Sequence, residues 1–155
     1  MIRPAQPEDA AAIAEIWNRV IRDTALTFTT AEKTADAVAA QMGAQPCLVA
    51  GTDAVAGFVT YAPFRAGPGY AYTVEHSVHV ADGARGRGIG RALMAAAEDH
   101  ARGAGLHSMI AGVAGENAGG AAFHVALGYA EIARLPEVGW KFRRWHDLIL
   151  MQKML

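Results

Sequence analysis

The stretch His79-Val80-Ala81-Asp82-Gly83-Ala84-Arg85-Gly86-Arg87-Gly88-Ile89-Gly90-Arg91-Ala92-Leu93 decides the fold. A β-branched segment leads into it, a loop with four glycines and three arginines follows, and an alanine-rich helix comes next. Glycines lack the Cβ atoms that keep a ligand off the backbone, so successive N–H groups can face one concavity at a helix N-terminus. The helix dipole and the arginines add positive charge, which predicts a site for a phosphate or diphosphate.

Two well-known phosphate loops do not fit this stretch. A dinucleotide-binding fingerprint that starts at Gly86 requires a small residue where Arg91 stands. A P-loop that starts at Gly83 then requires Lys and Ser or Thr where Ile89 and Gly90 stand. Two interpretations remain after these comparisons. The stretch is either a phosphate loop of another kind or a glycine-rich surface turn before a helix.

Length and composition predict one domain over residues 1–155. The chain has 155 residues, of which 52% are hydrophobic, and this is enough to bury a core. A formal net charge of −1 does not indicate a nucleic-acid or anionic-membrane partner. The N-terminus lacks an apolar signal core and no run approaches the roughly 20 apolar residues of a membrane span, so we expect a cytoplasmic protein.

Hydrophobic periodicity and turn residues predict an α/β fold with a mixed central sheet of about six to seven strands flanked by about four helices. Thr29 and Glu32 have capping-box spacing and predict the start of the second helix. The other helices are expected at about 8–22, 88–102 and 119–127, and the strands at 2–5, 47–50, 55–61, 70–80, 106–114, 129–135 and 147–154.

Four segments resemble one known family. Arg85-x-x-Gly88-x-Gly90, directly after a strand, resembles the acetyl-CoA diphosphate loop of the GNAT N-acetyltransferase superfamily. Glu116-Asn117, followed by His124 and Leu127-Gly128-Tyr129, resembles the segment that flanks the pantetheine arm in that superfamily. The segments 72–80 and 138–147 resemble those of phosphinothricin and methionine sulfone or sulfoximine N-acetyltransferases. The resemblance implies the GNAT fold, acetyl-CoA as co-substrate, a small amine as acceptor and a homodimer.

This chain departs from many relatives at one position in segment 72–80 and at the residue just before that segment. His79 stands where many relatives have tyrosine, and Ala71 stands where they have an arginine that has been linked with substrate binding. The resemblance implies that the coenzyme is bound by Val78, His79, Val80, Arg85, Gly86, Arg87, Gly88, Ile89, Gly90, Arg91, Glu116, Asn117 and His124.

Three side chains are candidates for proton transfer. Glu75 is a carboxylate in an otherwise apolar and β-branched strand just before the coenzyme loop, and it is the candidate general base; an outward-facing or ion-paired glutamate is the alternative. His124 stands where the resemblance implies a tyrosine that protonates the departing thiolate, a role that a histidine can fill near neutral pH; a histidine that packs against the coenzyme is the alternative. His146 is a candidate to assist the base or orient the substrate, or else to make structural hydrogen bonds. His76 and His79 have no third ligand at a fitting spacing, so no metal site is expected.

The acceptor pocket is expected to combine cations with aromatic walls. Arg65, Lys141 and Arg143 are candidates to hold a carboxylate or phosphinate. Phe28 is either a wall of this pocket or a core plug for its loop. The full set of substrate-binding candidates is Phe28, Phe64, Arg65, Tyr70, Tyr72, Thr73, Glu75, Trp140 and Lys141.

These observations predict an acetyl-CoA-dependent enzyme that acetylates the α-amine of a small amino-acid-like substrate by direct attack, without an acyl-enzyme. Phosphinothricin, methionine sulfone and methionine sulfoximine are the substrates that the resemblance implies. Two alternatives stay open: acetylation of another amine or of a protein N-terminus or lysine, and a non-catalytic acyl-CoA-binding module.

Overall fold

The predicted strand–loop–helix unit forms the centre of the computed structural model, which describes residues 1–155. It consists of strand β4 (Thr73–Val80), the glycine-rich loop and helix α3 (Ile89–Gly103). The other helices are α1 (Ala10–Asp23), α2 (Ala35–Ala44) and α4 (Ala118–Ala126). The other strands are β1 (Ile2–Pro4), β2 (Cys47–Ala50), β3 (Gly57–Pro63), β5 (Ser108–Ala114), β6 (Ala130–Lys141) and β7 (Arg144–Met154). None of the four helices is long and apolar enough to cross a membrane.

All seven strands form one mixed sheet in the order β1-β2-β3-β4-β5-β7-β6. Only β4 and β5 run parallel, and α3 connects them, as a parallel pair requires a crossover. The expected fold class, a mixed sheet of six to seven strands with four helices, is confirmed.

The parallel pairing of β4 and β5 stops halfway along both strands. It runs from Thr73 opposite Ser108 to His76 opposite Ala111. Beyond that point residues 77–80 pair only with β3, while residues 112–114 pair only with β7. One backbone edge of β4 is therefore left unpaired in the middle of the sheet, directly before the glycine-rich loop.

Two apolar clusters cover the two faces of the sheet. Phe58 of β3 faces α1 and α2 and packs with Ile13, Trp17 and Val38, while its neighbour Val59 faces α3. Because successive side chains of a strand point to opposite faces, one strand supplies both clusters. Leu93 and Met94 of α3 are fully buried on the second face. Both clusters hold the central strands β3 and β4 in place.

Two predicted elements differ from the structure. Helix α2 begins at Ala35 with Thr34 as its cap, since the Thr34 hydroxyl accepts a hydrogen bond from the Ala37 amide at 3.1 Å. The hydroxyl of Thr29 accepts from the amide two residues later instead, which makes a turn and not a capping box. Strands β6 and β7 are longer than predicted and form one hairpin, whose turn places Phe142 and Arg143 at φ values of 54° and 60°.

Candidate active site

The glycine-rich loop presents a row of unpaired amides. Gly86 and Gly88 adopt φ values of 73° and 77°, which a side chain would oppose, and α3 begins one residue later. The amides of residues 86–91 donate no hydrogen bond to any other group of the chain. Six successive free donors lie at the positive end of a 15-residue helix, a geometry that suits the anion cradle expected from the sequence.

A cleft of about 540 Å³ connects this cradle with the unpaired edge of β4. The cleft lies between residues 78–80, the loop, the start of α3 and helix α4. Of the residues predicted to bind the coenzyme, all except Arg87 and Glu116 line it. Sequence reasoning did not find its further lining residues, which are Val20, Leu26, Ala84, Gly120 and Phe123.

Glu116 and Arg87 lie outside the cleft. The Glu116 carboxylate accepts two hydrogen bonds from Arg144, at 2.6 and 2.9 Å, and lines a separate surface recess beside His146. The Arg144 guanidinium lowers the pKa of Glu116. Arg87 is exposed. The neighbouring Asn117 does line the cleft, and its side-chain oxygen caps α4 by accepting from the Gly120 amide at 2.9 Å.

A second cavity of about 250 Å³, here called the inner pocket, opens where β4 and β5 separate. It shares Val78, His79, Asn117 and His124 with the cleft, so the two cavities adjoin. Leu26 and Gly120 of α4 also line both cavities. The remaining lining residues of the inner pocket come from α1, the loop before α2, and strands β4 and β5; they are Trp17, Thr27, Thr29, Lys33, His76, Ser77, Gly112 and Val113.

Glu75 lies beside the inner pocket. Its Oε2 atom lies 3.0 Å from the position that a Cβ atom on Gly112 would occupy, and Gly112 lines that pocket. Glu75 also lines an adjoining recess together with Trp17, Lys33 and Ser77, all of which line the inner pocket as well. The carboxylate has no hydrogen bond or ion pair, and partial burial raises its pKa. It is therefore a carboxylate free to accept a proton.

His124 and His76 form a buried pair with defined proton positions. His124 Nδ1 lies 2.8 Å from the Gly120 carbonyl oxygen, which can only accept, so this nitrogen carries the proton. His124 Nε2 then accepts from His76 Nε2, at 3.1 Å. Burial lowers the pKa of His124, and burial with the neighbouring His124 lowers the pKa of His76 to about 3. The lowered pKa values favour the neutral form of both rings, and His76 Nδ1 is buried without a partner.

His146, Lys141 and Phe28 form a cluster away from both cavities. His146 Nε2 donates to the Lys141 carbonyl at 2.8 Å, and the His146 ring stacks on Phe28 with centroids 5.3 Å apart. The Lys141 ammonium donates to the Thr27 carbonyl at 2.8 Å, and burial lowers its pKa. These contacts hold the loop before α2 against the β6–β7 hairpin. Phe28 is therefore a packing residue of its loop and not a wall of either cavity.

The remaining substrate-binding candidates do not line the cleft or the inner pocket. Arg65 lies over the ring of exposed Tyr70, 5.5 Å from its centroid, and the Thr73 hydroxyl contacts that of Ser108 at 3.2 Å. The others lie outside both cavities as well; they are Phe64, Tyr72 and Trp140. Of the nine candidates, only Glu75 lies beside the inner pocket. No group of three or more His, Cys, Asp and Glu side chains is arranged to hold a metal ion.

Fold and site together define an acyl-CoA-type transferase, and comparison with known proteins identifies the family. A sequence model described as Acetyltransferase (GNAT) family matches residues 12–129, so the chain belongs to the GNAT family of acetyltransferases. The predicted resemblance is thereby confirmed.

Relatives of known name extend over the whole chain. An L-methionine sulfoximine/L-methionine sulfone acetyltransferase of Salmonella typhimurium is 39% identical over 99% of this chain and 94% of its own. A phosphinothricin N-acetyltransferase of Streptomyces coelicolor is 34% identical over 99% of this chain and 95% of its own. An acetyltransferase structure from Salmonella typhimurium, solved with acetyl-CoA as its cofactor, superposes with a TM-score of 0.96 at 38% identity, covering 100% of this chain and 93% of that one.

Proposed function

We propose that this protein transfers the acetyl group of acetyl-CoA to the α-amine of a small amino-acid-like substrate. One observation carries the proposal: the unpaired amides of residues 86–91 and the unpaired edge of β4 adjoin an inner pocket beside which the free carboxylate of Glu75 lies. The relatives that act on methionine sulfoximine, methionine sulfone and phosphinothricin support the substrate class.

The cleft has the groups that a coenzyme A molecule requires. The amides of residues 86–91, with Arg85 and Arg91, provide donors and positive charge for its diphosphate. The open edge of β4 at residues 78–80 can bond an extended pantetheine arm as an added strand would. When bound, acetyl-CoA supplies an activated thioester, and a strand amide at its carbonyl would stabilise developing negative charge.

Glu75 is the proposed general base. Its raised pKa keeps it a stronger base than an exposed glutamate, and its oxygens have no competing partner in the chain. It accepts the proton of the substrate ammonium, and the neutral amine then attacks the thioester carbonyl. The C–N bond forms as the C–S bond breaks, coenzyme A leaves as its thiolate, and the second proton that the nitrogen loses is available to that thiolate. The sole cysteine, Cys47, lies in β2 and lines neither cavity. Burial raises the pKa of its thiol to about 11, so the thiol is a poor nucleophile and an acyl-enzyme on Cys47 is not favoured.

The two histidine candidates receive structural roles in this proposal. The only N–H of neutral His124 points to the Gly120 carbonyl, so we assign His124 to shaping the wall between cleft and pocket. The side chain of His146 donates a hydrogen bond to the Lys141 carbonyl of the same hairpin and lies outside both cavities. Neither geometry favours the predicted proton transfer.

Thiol release from acetyl-CoA tests the proposed function. We expect turnover with methionine sulfone, methionine sulfoximine or phosphinothricin, and little with an N-terminal peptide or with free lysine side-chain analogues. Glu75→Gln should bind acetyl-CoA with unchanged affinity and lose about 10²- to 10⁴-fold in kcat/KM. Turnover of peptides alone would favour the protein-acetylating alternative, and coenzyme binding without any turnover would favour a binding module.

The predicted homodimer has support from one surface. The free end of the β6–β7 hairpin exposes four large apolar side chains, Val138, Trp140, Phe142 and Trp145, each more than half exposed. An apolar patch of this kind marks an interaction site, and we propose a second copy of the chain as its partner. Light scattering should then give twice the chain mass, and Trp145→Glu should give a monomer. Localisation in the cytoplasm stays a prediction from the sequence.

A further inference from the structure

One cation faces the inner pocket without a carboxylate partner. Lys33 is the only lysine or arginine that lines the inner pocket, and also the only one that lines the adjoining recess beside Glu75. Its ammonium has no ion pair and no hydrogen bond, and lies 4.2 Å from the centroid of the Trp17 ring. The face of an aromatic ring attracts an ammonium but accepts no conventional hydrogen bond from it, so the three N–H donors of Lys33 remain available to a ligand.

The backbone of Lys33 is held in place by one side chain of α1. The Asn18 amide donates to the Lys33 carbonyl at 2.8 Å, and its oxygen accepts from the Lys33 amide at 2.7 Å. Thr34, the next residue, caps α2. The position from which the lysine side chain extends is therefore fixed between two helices, and its direction is fixed by Trp17. This is the arrangement of a preorganised binding group.

Other cations of the surroundings are engaged elsewhere. Lys141 donates to the Thr27 carbonyl, and Arg22 pairs with Glu32 at 2.9 Å. Arg19 pairs with Asp82 at 2.8 Å, and Arg65 lies over Tyr70 outside the pocket. Lys33 is thus the one positive side chain that an anion in the inner pocket meets.

We propose that Lys33 binds the α-carboxylate of the acceptor and thereby selects α-amino acids over other amines. This inference rests on the proposed function and names a residue for its substrate. An α-amino acid carries its ammonium and its carboxylate on one carbon, so a molecule in the inner pocket can direct the first to Glu75 and the second to Lys33. The hydroxyls of Thr27 and Thr29, which line the same pocket, add polar surface for the carboxylate.

Lys33→Met, which removes the charge and keeps the length of the side chain, tests the inference. The substrates are methionine sulfone and its methyl ester, which lacks the negative charge. For the acid we expect kcat/KM to fall about 10- to 100-fold, mostly through KM, because one charge-assisted hydrogen bond is lost. For the ester we expect less than about a threefold change, and Lys33→Arg should restore part of the preference. Arg22→Met, a cation outside the pocket, is the matched control and should match wild type.

A second readout needs no turnover. The product N-acetylmethionine sulfone keeps the carboxylate, and its calorimetric affinity should fall about 10- to 100-fold in Lys33→Met while the acetyl-CoA affinity stays unchanged. Equal losses for acid and ester, or no loss for either, would overturn the role of Lys33. Wild-type protein that binds this product in a Lys33-dependent way but acetylates no amino acid would contradict the proposed function alone.

Discussion

Gly139→Ala tests the contact that holds the loop before α2 against the β6–β7 hairpin. A Cβ atom at position 139 would lie 2.7 Å from Phe28 Cε2, with two further ring atoms closer still, whereas ordinary contact begins at 3.4 Å. The Phe28 ring must therefore move by roughly 1 Å, against its stacking on His146. Overpacking of this size costs about 1–3 kcal/mol of the free energy of unfolding.

Urea denaturation followed by tryptophan fluorescence measures this cost. Gly43→Ala is the matched control, because Gly43 is an exposed position of α2 and nothing lies within 4 Å of the added methyl group. Alanine in a helix should raise the free energy of unfolding by about 0.5–1 kcal/mol, so the two Gly→Ala changes are expected to have opposite signs. An unchanged or increased stability of Gly139→Ala would refute the reasoning.

The same change should affect the acceptor and spare the coenzyme. Thr27 and Thr29 flank Phe28 in the chain and line the inner pocket, so a displaced Phe28 shifts the pocket wall. We expect Gly139→Ala to raise KM for the amine severalfold while the amides of residues 86–91 keep their affinity for acetyl-CoA. A selective loss of acetyl-CoA affinity would show that the loop belongs to the cleft instead.

Three further predictions follow from burial and backbone geometry. Burial lowers the pKa of His76 to about 3, and partial burial with the nearby Arg85 lowers the pKa of half-buried His79 to about 4. Unfolding therefore takes up protons below pH 6.5, and the free energy of unfolding should fall with decreasing pH by up to about 3 kcal/mol per pH unit. A flat profile from pH 7 to 5 in urea titrations would contradict this. Burial raises the pKa of Glu75, so the free energy of unfolding falls as pH rises through that pKa and the carboxylate ionises. At pH 8 the Glu75→Gln variant should therefore unfold at a temperature equal to or higher than that of the wild type. The pH profile of its kcat/KM should lack the ascending limb that deprotonation of Glu75 gives in the wild type. Gly88→Ala forces a side chain into φ 77° at about 1–2 kcal/mol and should weaken acetyl-CoA binding in calorimetry, whereas Gly83→Ala, at a position without positive φ, should not.

The local parts of the fold and site were readable from the sequence. The glycine-rich loop, the strand before it and the helix after it depend on neighbours within a few residues, and each was placed to within about three residues of its observed bounds. Strand alternation puts Glu75, Ser77 and His79 on one face, a pattern that also marks Ser77 as a pocket residue. Lys33 gave no comparable pattern, because a lone lysine before a helix is ordinary.

The extent of the hairpin was not readable from its local pattern. Pro136 and Gly139 suggest that a strand stops at Leu135, yet β6 continues to Lys141 because an edge strand tolerates a proline and an irregular register. The longer hairpin carries His146, Lys141 and Trp140 away from the cleft. Lys141 contacts Thr27, His146 stacks on Phe28 and Glu116 pairs with Arg144, and each of these partners comes from a segment distant in the chain.

The sequence by itself determined the glycine-rich loop before α3, the α/β class and the family, since these rest on glycines, periodicity and motifs that act over short distances. Only the tertiary structure decided which charged groups meet. The separation of β4 from β5 opens the inner pocket. The contact of Asn18 in α1 with the loop before α2 places Lys33 on the same recess as Glu75. Such pairings depend on chain segments brought together by burial, and no local pattern records them.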